Sequence, residues 1–402
     1  MNPSLLLRIA PLAFLLVAHG TVVSQVPVRA LVEERRIDIT THYTGRGGHT
    51  VLFPGNGTIV FLTDAEYRGK VFSADGKLIR AFARQGSGPG EIRTNILLSA
   101  GLVGDTVWID DSSNRRLSLY AVDGTPLRDI PYAQDATWRS RRAEYAGLGP
   151  NVGPKVLLPG GRAYGVATGV LSTVARGRGG DLPAGGRVPL LRMGWDRSIS
   201  GEVMTLPLQF RWFRVEGTTR TFGQELEHRS RYAFSSDGRR LAVVSVGTGS
   251  VPAVEVLHLS IEGDTIARHG VPFKPDPITP RYIDSLLTAW VTPIPRENLP
   301  AGFPMQANLK GKEGAIREQL VIPKYHSPFR QVKLANDGTV WLQWHSPGSS
   351  RRWLIISPRG VPTMEVELPL RSELQSIDGA IWGLTWDDDD LPSLTRYRIG
   401  PG

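Results

Sequence analysis

The chain has 402 residues, 41% of them hydrophobic, with 45 Gly, 30 Pro and a formal net charge of +9. So many turn formers favour short strands over long helices. Cysteine is absent, which excludes disulfides, thiolate metal sites and a lipidated N-terminal cysteine.

Residues 1–24 read MNPSLLLRIAPLAFLLVAHGTVVS. One Arg stands in an apolar run short for a membrane span, and small residues follow it. This is the pattern of a signal peptide, with an N-terminal anchor as the alternative. Cleavage is expected at Ala18-His19-Gly20 or Val22-Val23-Ser24, which removes Arg8 and one positive charge. The expected product is exported, periplasmic or secreted, with no stable membrane span.

The first strand-like run is RRIDITTHYT, residues 35–44. A pattern of short apolar run, tight turn and β-rich run then recurs. Asn56-Gly57 precedes TIVFLT, Gly104-Asp105 precedes TVWID, and Gly160-Gly161 precedes RAYGVAT. Asp237-Gly238 precedes RRLAVVSV, Asp337-Gly338 precedes TVWLQW, and Asp378-Gly379 precedes AIWGLTW. Such turn pairs between β-rich runs are hairpin signals. The apolar runs before them are VLF, ILL, VLL, YAF, VKL and LQSI. Third strands such as GKVFSA, RRLSLYAV, VEVLHLSI and RRWLIIS follow. Asp75-Gly76, Asp123-Gly124 and Glu262-Gly263 then lead to fourth strands.

Four antiparallel strands repeated six times predict an all-β fold, a six-bladed β-propeller of four-stranded blades. The expected blades are 50–84, 95–131, 155–209, 230–272, 328–369, and 374–400 plus 35–44. The last unit supplies three strands, so residues 35–44 are expected to complete it beside 393–399 and remove an open edge. A β-sandwich or two smaller β-domains is the alternative.

The segment DDSSNRRLSLYAVDG resembles the D…N.R(I/L)…(F/Y)…DG signature of NHL-repeat propellers. FARQGSGPGEI resembles the G.G.GPGEF linker that precedes a blade in that group. The whole chain resembles exported bacterial six-bladed β-propeller proteins related to NHL and TolB-like propellers. The match is residue-specific in the first two blades and in ANDGTVWLQW with RRWLIISPRG; blades three and four depart from it. The resemblance implies an architecture and little about reaction or ligand.

In such a frame, turns between first and second and between third and fourth strands share one face. The long connections, 131–154, 168–187, 208–230 and 273–327, fall on the other, where loops on a rigid scaffold carry binding. Trp138 adjoins Arg139, Arg141 and Arg142, and residues 211–214 read Arg211, Trp212, Phe213, Arg214. Arg beside aromatic rings suits planar or anionic ligands. The candidate ligand-binding residues are Arg139, Arg141, Arg142, Arg211, Trp212 and Arg214; solvated or Asp- and Glu-paired arginines are the alternative. In 273–327, Ile283, Leu286, Leu287 and Trp290 have helical spacing, and GAIREQLVI suggests a second short helix. This reads as a partly helical lid over the channel mouth, with a stabilising cap as the alternative.

Asp111 with Arg115 and Arg116, Asp64 with Arg68, and Asp390 with Arg396 read as ties within blades. The run Asp387–Asp390 lacks calcium-loop spacing and reads as a solvated turn. No Gly-x-Ser-x-Gly elbow, His-Glu-x-x-His or phosphate loop is present, so no catalytic residue is assigned. Lactonase-type propellers hold a divalent cation with Glu, Asn and Asp, a set with no position-by-position match here. His49, His228 and His326 each precede a first strand, and three imidazoles suit zinc. No cofactor is expected, with a divalent metal the one left open. The expected function is an exported ligand- or protein-binding module whose partner is a protein, a peptide or an anionic ligand, not nucleic acid. The alternatives are a metal-dependent hydrolase or lyase, lactonase-like, at the channel mouth, and a structural scaffold.

Overall fold

Strand β1 (Val28–Asp38) is followed by five sets of hairpin-linked strands. The computed structural model describes residues 26–43, 49–63, 66–93, 99–133, 152–167, 187–207, 212–214, 221–223, 230–247, 250–292, 309–320, 322–344 and 350–401. The first set is β2 (Thr50–Leu52), β3 (Ile59–Leu62), β4 (Tyr67–Phe72) and β5 (Leu78–Arg84). The second is β6 (Ala100–Val103), β7 (Thr106–Asp111), β8 (Arg116–Ala121) and β9 (Pro126–Pro131). The third is β10 (Val152–Leu158), β11 (Arg162–Ala167), β12 (Arg187–Gly194) and β13 (Ile199–Pro207). A hairpin follows, β14 (Trp212–Arg214) with β15 (Thr221–Gly223). The fourth set is β16 (Arg231–Phe234), β17 (Arg240–Val246), β18 (Ala253–Ser260) and β19 (Thr265–Pro272). Helices α1 (Pro280–Val291) and α2 (Glu313–Gln319) come next. The chain ends with β20 (Phe329–Leu334), β21 (Val340–Trp344), β22 (Ser350–Ile356), β23 (Pro362–Pro369), β24 (Ser372–Ser376), β25 (Ile381–Trp386) and β26 (Pro392–Ile399).

The first four sets are separate four-stranded sheets, and β20–β26 with β1 form one eight-stranded sheet. The arrangement is propeller-like. All six tight turns read from the sequence join the expected strand pairs, for instance Leu52↔Val60 across Asn56-Gly57 and Leu334↔Val340 across Asp337-Gly338. Asn56, Asp123 and Asp337 each accept a backbone N–H two residues on, and the following Gly takes positive φ. Local turn chemistry therefore fixes these hairpins.

Strand β1 joins the two halves of the eight-stranded sheet. Val28–Ala30 pairs in parallel with Glu365–Glu367 of β23, and Leu31–Asp38 pairs antiparallel with Ile399–Ser393 of β26. The strand expected at 35–44 thus starts earlier and stops at Asp38. Its end has a local cause, since the Asp38 carboxylate accepts from Thr40 N at 2.8 Å and the chain turns through Thr40–His42. The first strand of the second sheet is likewise AGLV rather than ILL, whose residues 96–98 lie outside the described residues.

Burial grades across each sheet. Second and third strands β3, β7 and β8 are almost wholly buried. Fourth strands β5 and β9 are mostly exposed. First strands β6 and β16 are half-buried along their whole length. First strands of neighbouring sheets also lie against one another, β2 on β6, β6 on β10 and β16 on β20. They are the inner strands of this propeller-like arrangement.

Each apolar core spans adjoining sheets. Val60, Leu62 and Phe82 pack with Val107 and Ile109. Trp108 and Leu117 pack with Val156 and Leu190, which in turn meet Leu241 and Leu259. Val244 and Val256 pack with Leu342 and Leu354, and Trp353 and Val366 with Leu31 and Leu374. Ile37 and Leu384 return the series to Ile59 and Phe61 of the first sheet. Third-to-fourth turns lean on the preceding sheet in the same sense. Gly76 rests on Ile37, Gly124 on Phe82, Gly263 on Val203 and Gly360 on His269. In the third sheet Arg197 takes the positive-φ position, and Ala133 N donates to Asp196 O at 2.7 Å.

The 273–327 insertion forms the two helices its pattern predicts. Thr279 caps α1 by accepting from Tyr282 N at 3.2 Å, with Pro280 in the first turn. Ile283 and Leu287 pack on Leu309 and Ile316 in a small core of their own. Ile278 N to Lys324 O (3.2 Å) and His326 N to Asp276 O (2.8 Å) close its base.

Candidate functional site

The Gly-rich linker and the D…N.R signature form one structural tie. Asp111 is fully buried. Its carboxylate accepts from Arg93 N at 3.2 Å and from Asn114 Nδ2 at 2.6 Å, and lies 3.7 Å from Arg116 Nε. Arg116 Nη2 donates to Gly88 O (2.7 Å) and Glu91 O (2.6 Å), and Asn114 Nδ2 also reaches Gly86 O at 3.0 Å. These residues fold the linker against its own sheet and are used up in doing so.

A different group stands at the inner strands. His49 enters β2, while Glu373 and Gln375 lie on β24 and Lys333 on β20. His49 Nε2 is 3.4 Å from Gln375 Nε2 and 3.9 Å from Glu373 Oε2. The Gln375 amide donates to that nitrogen when the imidazole carries its proton on Nδ1. Lys333 Nζ donates to Gln375 O at 3.0 Å. The Tyr43 ring meets His49 edge-on at 5.9 Å, and Phe61 stacks on it at 6.4 Å. The segment after β1, the entry of β2, and strands β20 and β24 thus bring an aromatic ring, an imidazole, an amine, a carboxylate and an amide together. His49 and Glu373 stand near the starts of first strands, the end from which the long connections leave.

Burial dominates the electrostatics. It pushes the His49 imidazole below its ordinary value, opposed by Glu373 and reinforced by Lys333. It also lowers the Lys333 amine, again against Glu373, and raises the Tyr43 phenol, helped by Glu373. Neutral His49 is therefore the form this setting favours near neutrality. A second inner group lies between the second and third sheets. Asp110, 2% exposed, accepts from Tyr132 Oη and Arg197 Nη2, and the Arg197 guanidinium lies 4.0 Å over the Tyr132 ring. Lys155 faces Asp110, and burial lowers its amine against that carboxylate.

The residues singled out from sequence fall unevenly. Arg139, Arg141, Arg142, Arg211 and His228 lie outside the described residues. Trp212 and Arg214 are on β14, opposite Gly223 and Thr221. His326 packs edge-on against Tyr282 at 4.5 Å, in the insertion's base. His49 and His326 have different neighbours, and among the described residues no group of three His, Cys, Asp or Glu could hold a metal. Asp390 pairs with Arg371, while Arg396 Nε reaches Glu34 at 3.3 Å, so the expected Asp390–Arg396 tie is not formed. The Asp387–Asp390 run is a turn in which Asp387 Oδ1 accepts from Leu391 N at 2.8 Å, and Asp388 is fully exposed. Lys333, Glu373 and Gln375 were missed. The signal of Lys333 and Gln375 was a charged or amide residue inside the short apolar runs VKL and LQSI, and Glu373 directly precedes the second.

No protein family matches the chain, and no curated protein does. Several solved structures are similar to it. A member of the DUF4221 family from Bacteroides vulgatus is 9% identical, with TM-score 0.47, over 92% of this chain and 98% of that one. A protein described as exported, from Bacteroides fragilis, is 11% identical, with TM-score 0.44, over 93% and 99%. A catalytically inactive virginiamycin B lyase from Staphylococcus aureus, solved with quinupristin, is 10% identical, with TM-score 0.39, over 91% and 99%. At these identities nothing is read from them about this chain's chemistry.

Proposed function

We propose that the protein is an exported binding module of the NHL or TolB-like kind, a six-bladed propeller that takes its ligand at the inner-strand mouth. The blade count is supported by the closed series of cores and by β1, which serves both halves of the eight-stranded sheet. Export rests on the signal-like residues 1–24; no described helix is long and apolar enough to cross a membrane. The binding reading is carried by one observation, the convergence of Tyr43, His49, Lys333, Glu373 and Gln375 on one spot. A buried amine and imidazole brought together this way weaken the fold, and titratable groups perturbed by burial with a specific charge partner are candidates for function. In this reading Arg139, Arg141, Arg142, Arg211, Trp212 and Arg214 form a basic rim that gathers anionic partners, and the helical insertion is a lid.

The test is a thermal-shift panel of small acids, sugars, peptides and amines on the wild type, His49→Ala and Gln375→Ala. A compound that stabilises the wild type and neither variant supports the site. A panel that yields only compounds stabilising all three equally, or none at all, overturns it. Elemental analysis of the same wild type addresses the lactonase-like alternative. About one metal ion per chain, lost in His49→Ala, would replace the binding reading by that one.

A further inference from the structure

Among the described residues, four third-to-fourth turns rest on the preceding sheet through a glycine. Three of the seats, Ile37, Phe82 and Val203, cannot take up a proton. The fourth is His269 on β19, under Gly360 of the Ser357–Gly360 turn. The joint between the fourth and fifth sheets therefore has a titratable seat where these others have an apolar one.

The register adds charge to the same face. His269 stands opposite Val256 and His258 opposite Ala267, while Ala242 stands opposite His258, with Arg240 two residues before it. Alternate residues share a face, so Arg240, His258 and His269 lie on the face that carries Val244 and Val256. That face packs on Leu342 and Leu354 of the fifth sheet. His258 is buried, and its ring meets His269 edge-on at 5.5 Å. The Nε2 atoms of both rings are buried without a hydrogen-bond partner. Arg240 Nη1 donates to Asp337 O at 3.3 Å. Among the described residues, no acid pairs with either ring. Asp237 and Asp337 are bonded within their own turns. Glu365 and Glu367 of β23 pair with Arg352, and Arg359, in the turn itself, is exposed. Burial holds the His258 imidazole below its ordinary value, with His269 and Arg240 adding to the effect.

The inner end of this joint is tied by other means. Asn336 Oδ1 accepts from Asp237 N at 2.9 Å and lies 3.1 Å from Ser236 Oγ. Asp378 accepts from Ser236 Oγ at 2.7 Å and from Asn336 N at 2.9 Å. These bonds link the first turns of three successive hairpin sets and contain no imidazole.

We propose that the outer end of the joint between the fourth and fifth sheets is an acid-operated catch: protonation of His258 and His269 lifts the Ser357–Gly360 turn off the fourth sheet while the inner turns stay tied. A proton on either ring sets a positive charge near Arg240 with no anion to balance it. Water can reach that charge only if the turn moves, because Gly360 lies against the His269 ring. The folded value of His258 is lowered, so the joint is fully closed above the ordinary imidazole value of about 6.5 and opens as pH falls through the lower folded value. Strand β19 is also the strand from which the helical insertion leaves. The catch does not depend on what the mouth binds.

Hydrogen exchange of the full chain, corrected for the intrinsic pH dependence of amide exchange and read from about pH 7.5 to about pH 5.5, tests this. Protection is expected to fall about tenfold in residues 357–361 and in β19. It is expected to hold in 236–238, in 336–338 and in the turn at Gly76, whose seat is Ile37. His269→Phe gives the joint the kind of seat that Gly124 has on Phe82 and should remove most of the fall; His258→Gln should reduce it. Should either variant fail to fold, the wild-type pattern still decides. Loss of protection spread evenly over all sheets, no loss at 357–361, or a fall that both variants keep, overturns the proposal.

Discussion

At the scale of single residues, burial decides what a charge does. Arg116 and Arg80 both neighbour acids, but Arg116 is 13% exposed and Arg80 47%. Removing Arg116 leaves the buried Asp111 without its cation, so Arg116→Met is expected to lower stability by about 3 kcal/mol or more. Arg80→Met should stay within about 0.5 kcal/mol, because exposed pairs contribute little. Urea denaturation of the two variants measures both, and equal effects would refute the structural role given to the signature arginine. His258 gives a pH dependence. It is 5% exposed, its Nε2 has no partner, and His269 lies 5.5 Å away. Burial lowers its pKa, with His269 and Arg240 adding to the effect. The unfolded chain thus takes up the proton more readily than the folded one. Stability is complete above the unfolded imidazole value of about 6.5 and is lost as pH falls through the lower folded value. His258→Gln should flatten the fall in unfolding free energy between neutral and mildly acidic pH; an unchanged slope would assign the dependence elsewhere.

At the scale of elements, the turns do two separable jobs. Gly57 closes a hairpin at φ +84° with nothing near its absent side chain. Gly360 has φ +77° and in addition sits on His269, whose ring would be 2.0 Å from an added Cβ. Alanine at Gly57 should cost about 1–2 kcal/mol for the backbone conformation alone. Alanine at Gly360 should exceed that by about 1–3 kcal/mol, because two sheets must move apart. Comparable losses would mean that the third-to-fourth turns do not seat one sheet on the next. The turns were legible because Asn-Gly and Asp-Gly pairs act within four residues. The end of β1 was not, because ITTHYT keeps β-rich composition past the Asp38 turn.

For the whole molecule, β1 is the join, pairing with both β23 and β26. Ile37 lies in the core shared by the first sheet and by β25 and β26. Ile37→Asp would bury an unpaired acid there and should destabilise by about 3 kcal/mol or more. Hydrogen exchange should then speed up in β3 and β4 as well as in β26, on opposite sides of the junction. Faster exchange in β26 alone would show that β1 does not close the ring. The charge of +9 belongs to this scale too. If these charges form the proposed rim, replacing Arg139, Arg141, Arg142, Arg211 and Arg214 together by Ser should lower the salt needed to elute the protein from an anionic polymer, since such a field is screened over about 10 Å at 0.1 M. Unaltered elution would remove the rim from the binding surface.

The sequence by itself determined the strand periods, the tight turns and the two helices of the insertion, because these depend on residues a few positions apart. It also marked Asp111, Asn114 and Arg116 as a unit, since their partners lie on the adjoining linker. The tertiary structure decided the partners of Arg371, Arg396 and Glu34, and it alone brought Lys333 beside Gln375 and Glu373. The one local sign that Lys333 is not a surface lysine is its place inside the short apolar run VKL. Its neighbours, Gln375 and Glu373, arrive from the next hairpin, and His49 arrives from the far end of the chain once β1 has brought the two ends together. Contacts of that separation form only when the inner strands converge, and burial, which sets the charge of each group there, follows from that convergence.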